Sequence, residues 1–559
     1  MTDFSTVRRW PAVTLAVLIL LMAWPPVPLD AATPSAPASA TAPASKVKGA
    51  DVITAGQLRA YLTFIAADAM AGRDTPSNGQ EITANFLALE LARFGLTPAG
   101  DNGTFFQNIA MTRRQLDVSK TSVQMGARTF VYGDDFIVNT PNPLSTEGRL
   151  VYVGGGYVVK AKNIDAYKGL DVKGKILIAH SGLPAGVQRS ELRGESGPDT
   201  WESPSTYAKR HGATGIIFLP AFENLNGWTR TRQRAIEHGS LTMDKIPRRE
   251  PVVPSIVASP QFVGALFAGE KVSAAEIFRR GITREPADAF ELKPEKTINI
   301  RLTTIDTALM TRNVVAISRG SDPVLKDEYV ALGAHYDHVG VTAGRTGDTI
   351  FNGADDNGSG TSAVLAIAEA FARGGARPKR SVLFVWHTGE EIGLFGSEFF
   401  TTFPPVPLAR IVAQLNIDMI GRSRGPDDTT PANRELSGPN ELYVIASKMM
   451  STRLGEISER VNKSFLKLTF NYKFDAPNDP NDFFGRSDHY HYAKNGIPII
   501  VYFTGLHGDY HAVGDSVDKI DFPKLEKVTR TIYATSLAIA DVPERPKVDK
   551  KLPDELMGH

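Results

Sequence analysis

Cysteine is absent from the 559 residues, so no disulfide framework holds the fold and no cysteine is available for lipid attachment. An excess of one charge is missing too: 62 Lys and Arg stand against 61 Asp and Glu, a formal charge of +1. That balance gives no electrostatic footprint for nucleic acid or an anionic membrane surface. Apolar runs long enough for a comfortable bilayer span are lacking as well. The longest, residues 12–24, follows Arg8 and Arg9 and precedes Pro25 and Pro26. It is read as the h-region of an export signal over residues 1–31. Such a signal implies a periplasmic or secreted protein, with no membrane attachment after cleavage. There is no internal repeat. NGSG at 357–360 is not the G-x-S-x-G elbow, which argues against a serine hydrolase.

With 42% hydrophobic residues the chain has ample core for more than one domain. Residues 32–48 hold an Ala/Pro/Ser/Thr tract, read as a linker. Two helices are expected in 49–135, the second with Ile82, Phe86, Leu89, Leu91 and Phe94 at near-helical spacing. Residues 136–289 read as a β-rich insert of short apolar runs between Gly- and Pro-rich turns. From 290 to 543 strands and helices alternate, which argues a mixed, mostly parallel sheet covered on both faces. Residues 544–559 are charged and Pro-containing, and a flexible tail is expected there.

The chemistry sits in the last of these units. His335 and Asp337 close the apolar run YVALGAHYD, Asp355 and Asp356 stand in NGADDNGSG, and Glu390 and Glu391 follow SVLFVWHTG. Asp418 ends IVAQLNID, and His511 follows IPIIVYFTG by one short loop. In open α/β sheets ligands bind at the carboxyl ends of strands, so these segments are expected to converge. Imidazoles and carboxylates in this number form a donor set suited to two zinc ions. Of the adjacent pair Glu390 and Glu391, one is expected to ligate while the other faces substrate. Of Asp355 and Asp356, one is expected to bridge and the other to cap the following helix. Asp337 is placed to orient the His335 imidazole. Tyr510 reads equally as an oxyanion donor or a packing residue. His338, His387, His489, His491 and His507 exceed the ligand count.

The strings GAHYDHVG, NGADDNGSGTSA, HTGEEIGLFGS, LNIDMIG, GRSDHYHYAKNGIPII and YHAVGDSVDKID together resemble the co-catalytic di-zinc aminopeptidases. That superfamily includes secreted bacterial leucyl aminopeptidases, glutamate carboxypeptidase and glutaminyl cyclase. The resemblance implies a three-layer α/β sandwich, with His335 and Asp418 on one zinc and Glu391 and His511 on the other. It implies Asp355 as the bridge, followed by a cis peptide, and Glu390 as general base. AKNIDAYKGLDVKGKILIAH and TYAKRHGATGIIFLPA resemble the protease-associated domain. The expected partner is a peptide with a free amino terminus, since Asp356, Glu398, Asp488 and Asp515 read as spare carboxylates near the ligands. Arg422 and Arg486 keep a carboxypeptidase or dipeptidase as the alternative. A glutaminyl cyclase or a non-catalytic binding protein would show altered or lost ligands. Oligomeric state is not legible.

Overall fold

The long strand Phe106–Leu116 and its partner Thr304–Ser318 form an antiparallel ribbon within one sheet, and the chain beyond its outer end joins a second sheet at Ser122–Met125 and Thr297–Leu302. The computed structural model describes residues 46–192, 196–220, 227–246, 253–284, 288–342, 346–553 and 556. The expected export signal and nearly all of the linker lie outside them.

The first sheet contains β1 (Thr97–Pro98), β2 (Phe106–Leu116), β3 (Ser240–Met243), β4 (Thr304–Ser318), β5 (Tyr329–His335), β6 (Ser381–His387), β7 (Ile411–Ile417), β8 (Glu441–Ile445), β9 (Thr469–Asn471) and β10 (Ile499–Phe503). Their order is β3-β2-β4-β6-β5-β7-β10-β8-β9, with β1 on β4. The sheet is mixed, as expected. Parallel pairing is confined to the central β6-β5-β7-β10 and to the edge pair β8-β9. The outer strands β2, β3 and β4 are antiparallel because the chain departs to the insert along β2 and returns along β4. Strands β5, β6 and β7 are buried on both faces, which explains their unbroken apolar runs.

One face is covered by α1 (Ala55–Ile65), α2 (Asn78–Phe94), α3 (Gly360–Arg373), α4 (Thr452–Ser464) and α5 (Phe522–Asp541). Leu58, Leu62, Leu87, Leu91, Val364, Ile367, Val528 and Ile532 meet Val330, Leu332 and Phe384 there. Each such fully buried aliphatic side chain contributes about 1.5–3 kcal/mol. Helix α2 begins where the Ser77 hydroxyl accepts from Gln80 N and stops at Gly95, whose φ of 74° suits glycine. Its buried face is set by Ala84, Leu87, Leu91 and Phe94, whereas Ile82 and Leu89, expected inward, are exposed. The opposite face carries Phe400, Met449, Tyr490, Tyr492 and Ile497, completing three layers.

The second sheet is built from segments between Ser122 and Leu302, with its own core around Phe130, Tyr152, Ile178, Ile217 and Phe262. Within the stretch read as the insert, β3 joins the first sheet, packing Met243 with Phe395 and Phe399. The expected flexible tail is not seen over 544–553: Arg545 donates to the carbonyls of Ala409 and Ile411, and Leu552 is buried. Apolar anchoring of Leu552 and Leu556 outweighs the polar composition. Among the described residues, no helix is long and apolar enough to cross a membrane.

Candidate metal centre

Strands β5, β6, β7 and β10 run parallel, so their carboxyl ends open on one side of the sheet. His335 is the last residue of β5, Glu390 and Glu391 follow β6, Asp418 follows β7, and His511 lies in the loop after β10. The loop before α3 brings in Asp356. All of these side chains except Glu391 line a cleft shared with Met419, Ile445, Phe483, Val501, Phe503 and Leu506.

His335 Nε2 stands 3.4 Å from Asp356 Oδ1, 3.5 Å from Asp418 Oδ1 and 4.0 Å from Glu390 Oε2. His511 Nε2 stands 3.1 Å from Asp356 Oδ2 and 3.0 Å from Glu391 Oε2. His338 Nδ1 is 2.8 Å from Glu391 Oε1 and 3.8 Å from Asp356 Oδ2. Donors bound tetrahedrally at about 2.0–2.2 Å stand about 3.3–3.6 Å apart, so the His335 group has the spacing of a metal shell. The His511 group is slightly tighter. His335, Glu390 and Asp418 form one cluster able to hold a cation, and His338, Asp356, Glu391 and His511 form another.

Asp355, expected to bridge, is turned away. Its Oδ1 accepts from Gly421 N at 2.6 Å, and its Oδ2 lies 3.3 Å from His507 Nε2. The carboxylate lying between the two histidines is that of Asp356, and the cis peptide follows Asp356, not Asp355. The difference is one of facing: consecutive side chains in this non-helical turn diverge, and the first is drawn into the main-chain turn at Gly421. Asp337 also differs in detail from the expectation. Its carboxylate accepts from Thr75 Oγ1 at 3.1 Å, Glu390 N at 3.2 Å and Glu391 N at 3.4 Å. The contact with His335 Nδ1 at 3.2 Å is made by the Asp337 main-chain carbonyl. The Asp337 carboxylate also lies 3.7 Å from His335 Nδ1, so Asp337 faces the imidazole with backbone and side chain together while its side chain holds the amides of the two glutamates.

Charge crowding governs the site. Burial, with repulsion from Glu391 and Asp418, pushes Glu390 well above the usual carboxylate range despite His335. Burial likewise raises Asp337 to about 7. Burial opposes ionisation of Asp356 as well, yet His335 and His511 hold it well below its ordinary value. These carboxylates repel one another at close quarters, which a cation in their midst relieves.

Residues beyond the expected ligands complete the site. Ser487 Oγ donates to Asp418 Oδ2 at 2.7 Å and receives Asn416 Nδ2 at 3.0 Å. Asp515 accepts from Asp355 N and Asp356 N at 2.9 and 3.0 Å, and its Oδ1 lies 3.5 Å from Arg422 Nη1. Asp488 is buried beside His387 at 3.4 Å. Neither Asp515 nor Asp488 is therefore spare for substrate, and Asp356 stands in a cluster able to hold a cation. The sequence signal for His338 was its position three residues after His335; nothing local marked Ser487. Tyr510 does reach the cleft, stacked on His511 with ring centroids 3.9 Å apart, and its hydroxyl is 3.4 Å from Arg486. Of the aromatic residues between Asp418 and the SDH string, Phe483 lines the cleft, while Phe474 and Phe484 are core.

The architecture is that of the zinc exopeptidase type of α/β sandwich. Residues 313–536 match the model of Peptidase family M28. Leucine aminopeptidase 2 of Arthroderma otae is 30% identical over 269 residues, covering 43% of this chain and 48% of that protein. Leupeptin-inactivating enzyme 1 of Streptomyces exfoliatus is 30% identical over 194 residues, covering 34% and 36%. The chain thus spans about half the length or less of these relatives. The aminopeptidase from Aneurinibacillus sp. strain AM-1 superposes with a TM-score of 0.55 at 16% identity, over 90% of this chain and 97% of that one. At that identity the likeness concerns the fold.

Proposed function

We propose that this chain is an exported metallo-aminopeptidase that removes amino-terminal residues from peptides. The observation that carries the reading is the single Asp356 carboxylate facing His335 with one oxygen and His511 with the other. Two zinc ions fit this donor set: His335 and Asp418 for one, Glu391 and His511 for the other, with Asp356 shared. Zinc supplies a water whose pKa falls from 15.7 toward roughly 7 and polarises a carbonyl. His338 holds Glu391 through its 2.8 Å contact. Glu390 lines the cleft and acts as general base, taking a proton from the attacking water and returning it to the leaving amine. Its environment suits the task, since burial and neighbouring carboxylates raise its proton affinity. Tyr510, beside His511, is the candidate donor to the tetrahedral oxyanion.

The apolar wall of Ile445, Phe483, Val501, Phe503 and Leu506 suits a hydrophobic terminal side chain. The name of one relative, leucine aminopeptidase, agrees with that choice. The insert is read as a protease-associated domain, on the strings quoted above. A second reading rests on Arg486, an exposed cation lining the cleft that suits a terminal carboxylate and hence a carboxypeptidase. The deciding experiment pairs elemental analysis with a panel of amino-acyl and carboxy-terminal reporter peptides. Two zinc ions per chain with amino-acyl hydrolysis is expected; at most one metal at saturation, or carboxy-terminal release, defeats the proposal.

A further inference from the structure

Arg73 is a fully buried arginine outside the donor set. It ends the segment Asp68–Arg73 between α1 and α2, where Ala71, Gly72 and Arg73 take φ of 46°, 67° and 51°. Side chains crowd the backbone in this left-handed region, so two non-glycine residues held there on either side of a glycine mark a turn dictated by its surroundings. A Cβ on Gly72 would come within 2.2 Å of the Gly340 carbonyl oxygen, so only glycine allows the approach.

The turn aims the guanidinium inward. Nε donates to the Tyr336 carbonyl at 2.9 Å, Nη1 to Ile65 at 2.9 Å and to Asn352 at 2.7 Å, and Nη2 to Gly353 at 2.9 Å. Tyr336 lies between His335 and Asp337, and Asn352 and Gly353 lead into Asp355 and Asp356. The backbone secures the same junction: His338 N donates to Arg73 O at 3.2 Å and Gly340 N to Gly72 O at 3.0 Å.

We infer that Arg73 is a positioning residue for the metal centre, setting the loop with His335 and His338 against the loop with Asp356. This rests on the metallopeptidase reading above. The planar fork matches four carbonyls in three separate segments, which the single nitrogen of lysine cannot serve. Burial lowers the guanidinium to about 10, opposed by Asp337, Asp515, Asp356 and Glu391, so it stays charged at neutral pH. A fixed cation thus stands behind carboxylates that must be ionised to hold metal.

The test is Arg73→Lys, measured for zinc affinity by competition with a chromogenic chelator, for the melting temperature of the metal-free protein, and for kcat and KM. We expect the zinc dissociation constant to rise roughly 10–100-fold, as for supporting residues of other metal sites. The value of kcat should fall with KM near that of the wild type. Wild-type zinc affinity in the folded variant overturns the inference. If Arg73→Lys does not fold, Asn352→Ser is used instead, because Asn352 Nδ2 joins the same junction through Ala66 O at 3.0 Å and Asp68 Oδ1 at 2.8 Å. It should weaken zinc in the same direction, and unchanged affinity again overturns the inference. A wild-type protein that binds no zinc refutes the proposed function instead.

Discussion

Asp355 and Asp356 are adjacent, yet their carboxylates do different work. Asp355 Oδ1 takes a hydrogen bond from Gly421 N at 2.6 Å, whereas Asp356 Oδ2 stands 3.1 Å from His511 Nε2. One carboxylate stiffens the loop; the other lies in the cleft. Asp356→Asn is therefore expected to lower zinc occupancy at both positions, because it removes half the charge each would share. Asp355→Asn should keep both zinc ions at saturation and lose mainly thermal stability. Zinc analysis of the two variants side by side decides; loss of metal in Asp355→Asn with retention in Asp356→Asn reverses the roles.

Glu390→Gln should keep metal and fold while turnover falls by roughly 10²–10⁴-fold, since the amide keeps the shape and cannot accept the proton. Glu391→Gln should instead lose metal, because Glu391 faces both His338 and His511 at 2.8 and 3.0 Å. Equal metal loss in both variants would show that the division of labour is misassigned.

Direction of cleavage is read by blocking each end of a peptide. Acetylating the amino terminus should abolish hydrolysis, and amidating the carboxyl terminus should leave it intact. The opposite result points to Arg486 as a carboxylate anchor, in which case Arg486→Ala should raise KM strongly.

Acid should unfold the protein through buried histidines outside the metal donor set. Burial lowers His180, His489 and His491 to about 4, and for the last two it does so against the opposing attraction of Asp488. Their ordinary value is 6.5, so between pH 6.5 and 4 the unfolded chain binds more protons than the folded one. Stability present above that window is lost as pH falls through it. His180→Gln, which lies in the insert, should flatten the fall of melting temperature across this range by about one proton's worth. An unchanged slope would mean that His180 is protonated in the folded state.

How much was legible follows from the kind of signal. Doubly buried strands leave continuous apolar runs, so β5, β6 and β7 and the polar residues at their ends could be read directly. The strings at those strand ends carry the family resemblance, and it is the resemblance that implies the three-layer sandwich. The face of α2 was misjudged because Ile82 and Leu89 satisfy the periodicity while facing solvent. The tail looked frayed because composition does not record Arg545 reaching the carbonyls of Ala409 and Ile411.

The sequence alone determined which residue types gather at the centre, since strand ends place His335, Glu390, Glu391 and Asp418 on one edge whatever their rotamers. Only the tertiary structure decided between Asp355 and Asp356, brought His338 against Glu391, and turned Asp515 from a spare carboxylate into a clamp on two backbone amides. It also showed Arg73 joining segments about 260–280 residues apart through carbonyl oxygens. Main-chain acceptors carry no sequence identity, and a side chain's direction in an irregular turn depends on what packs around it. Such contacts become visible only once the chain has folded.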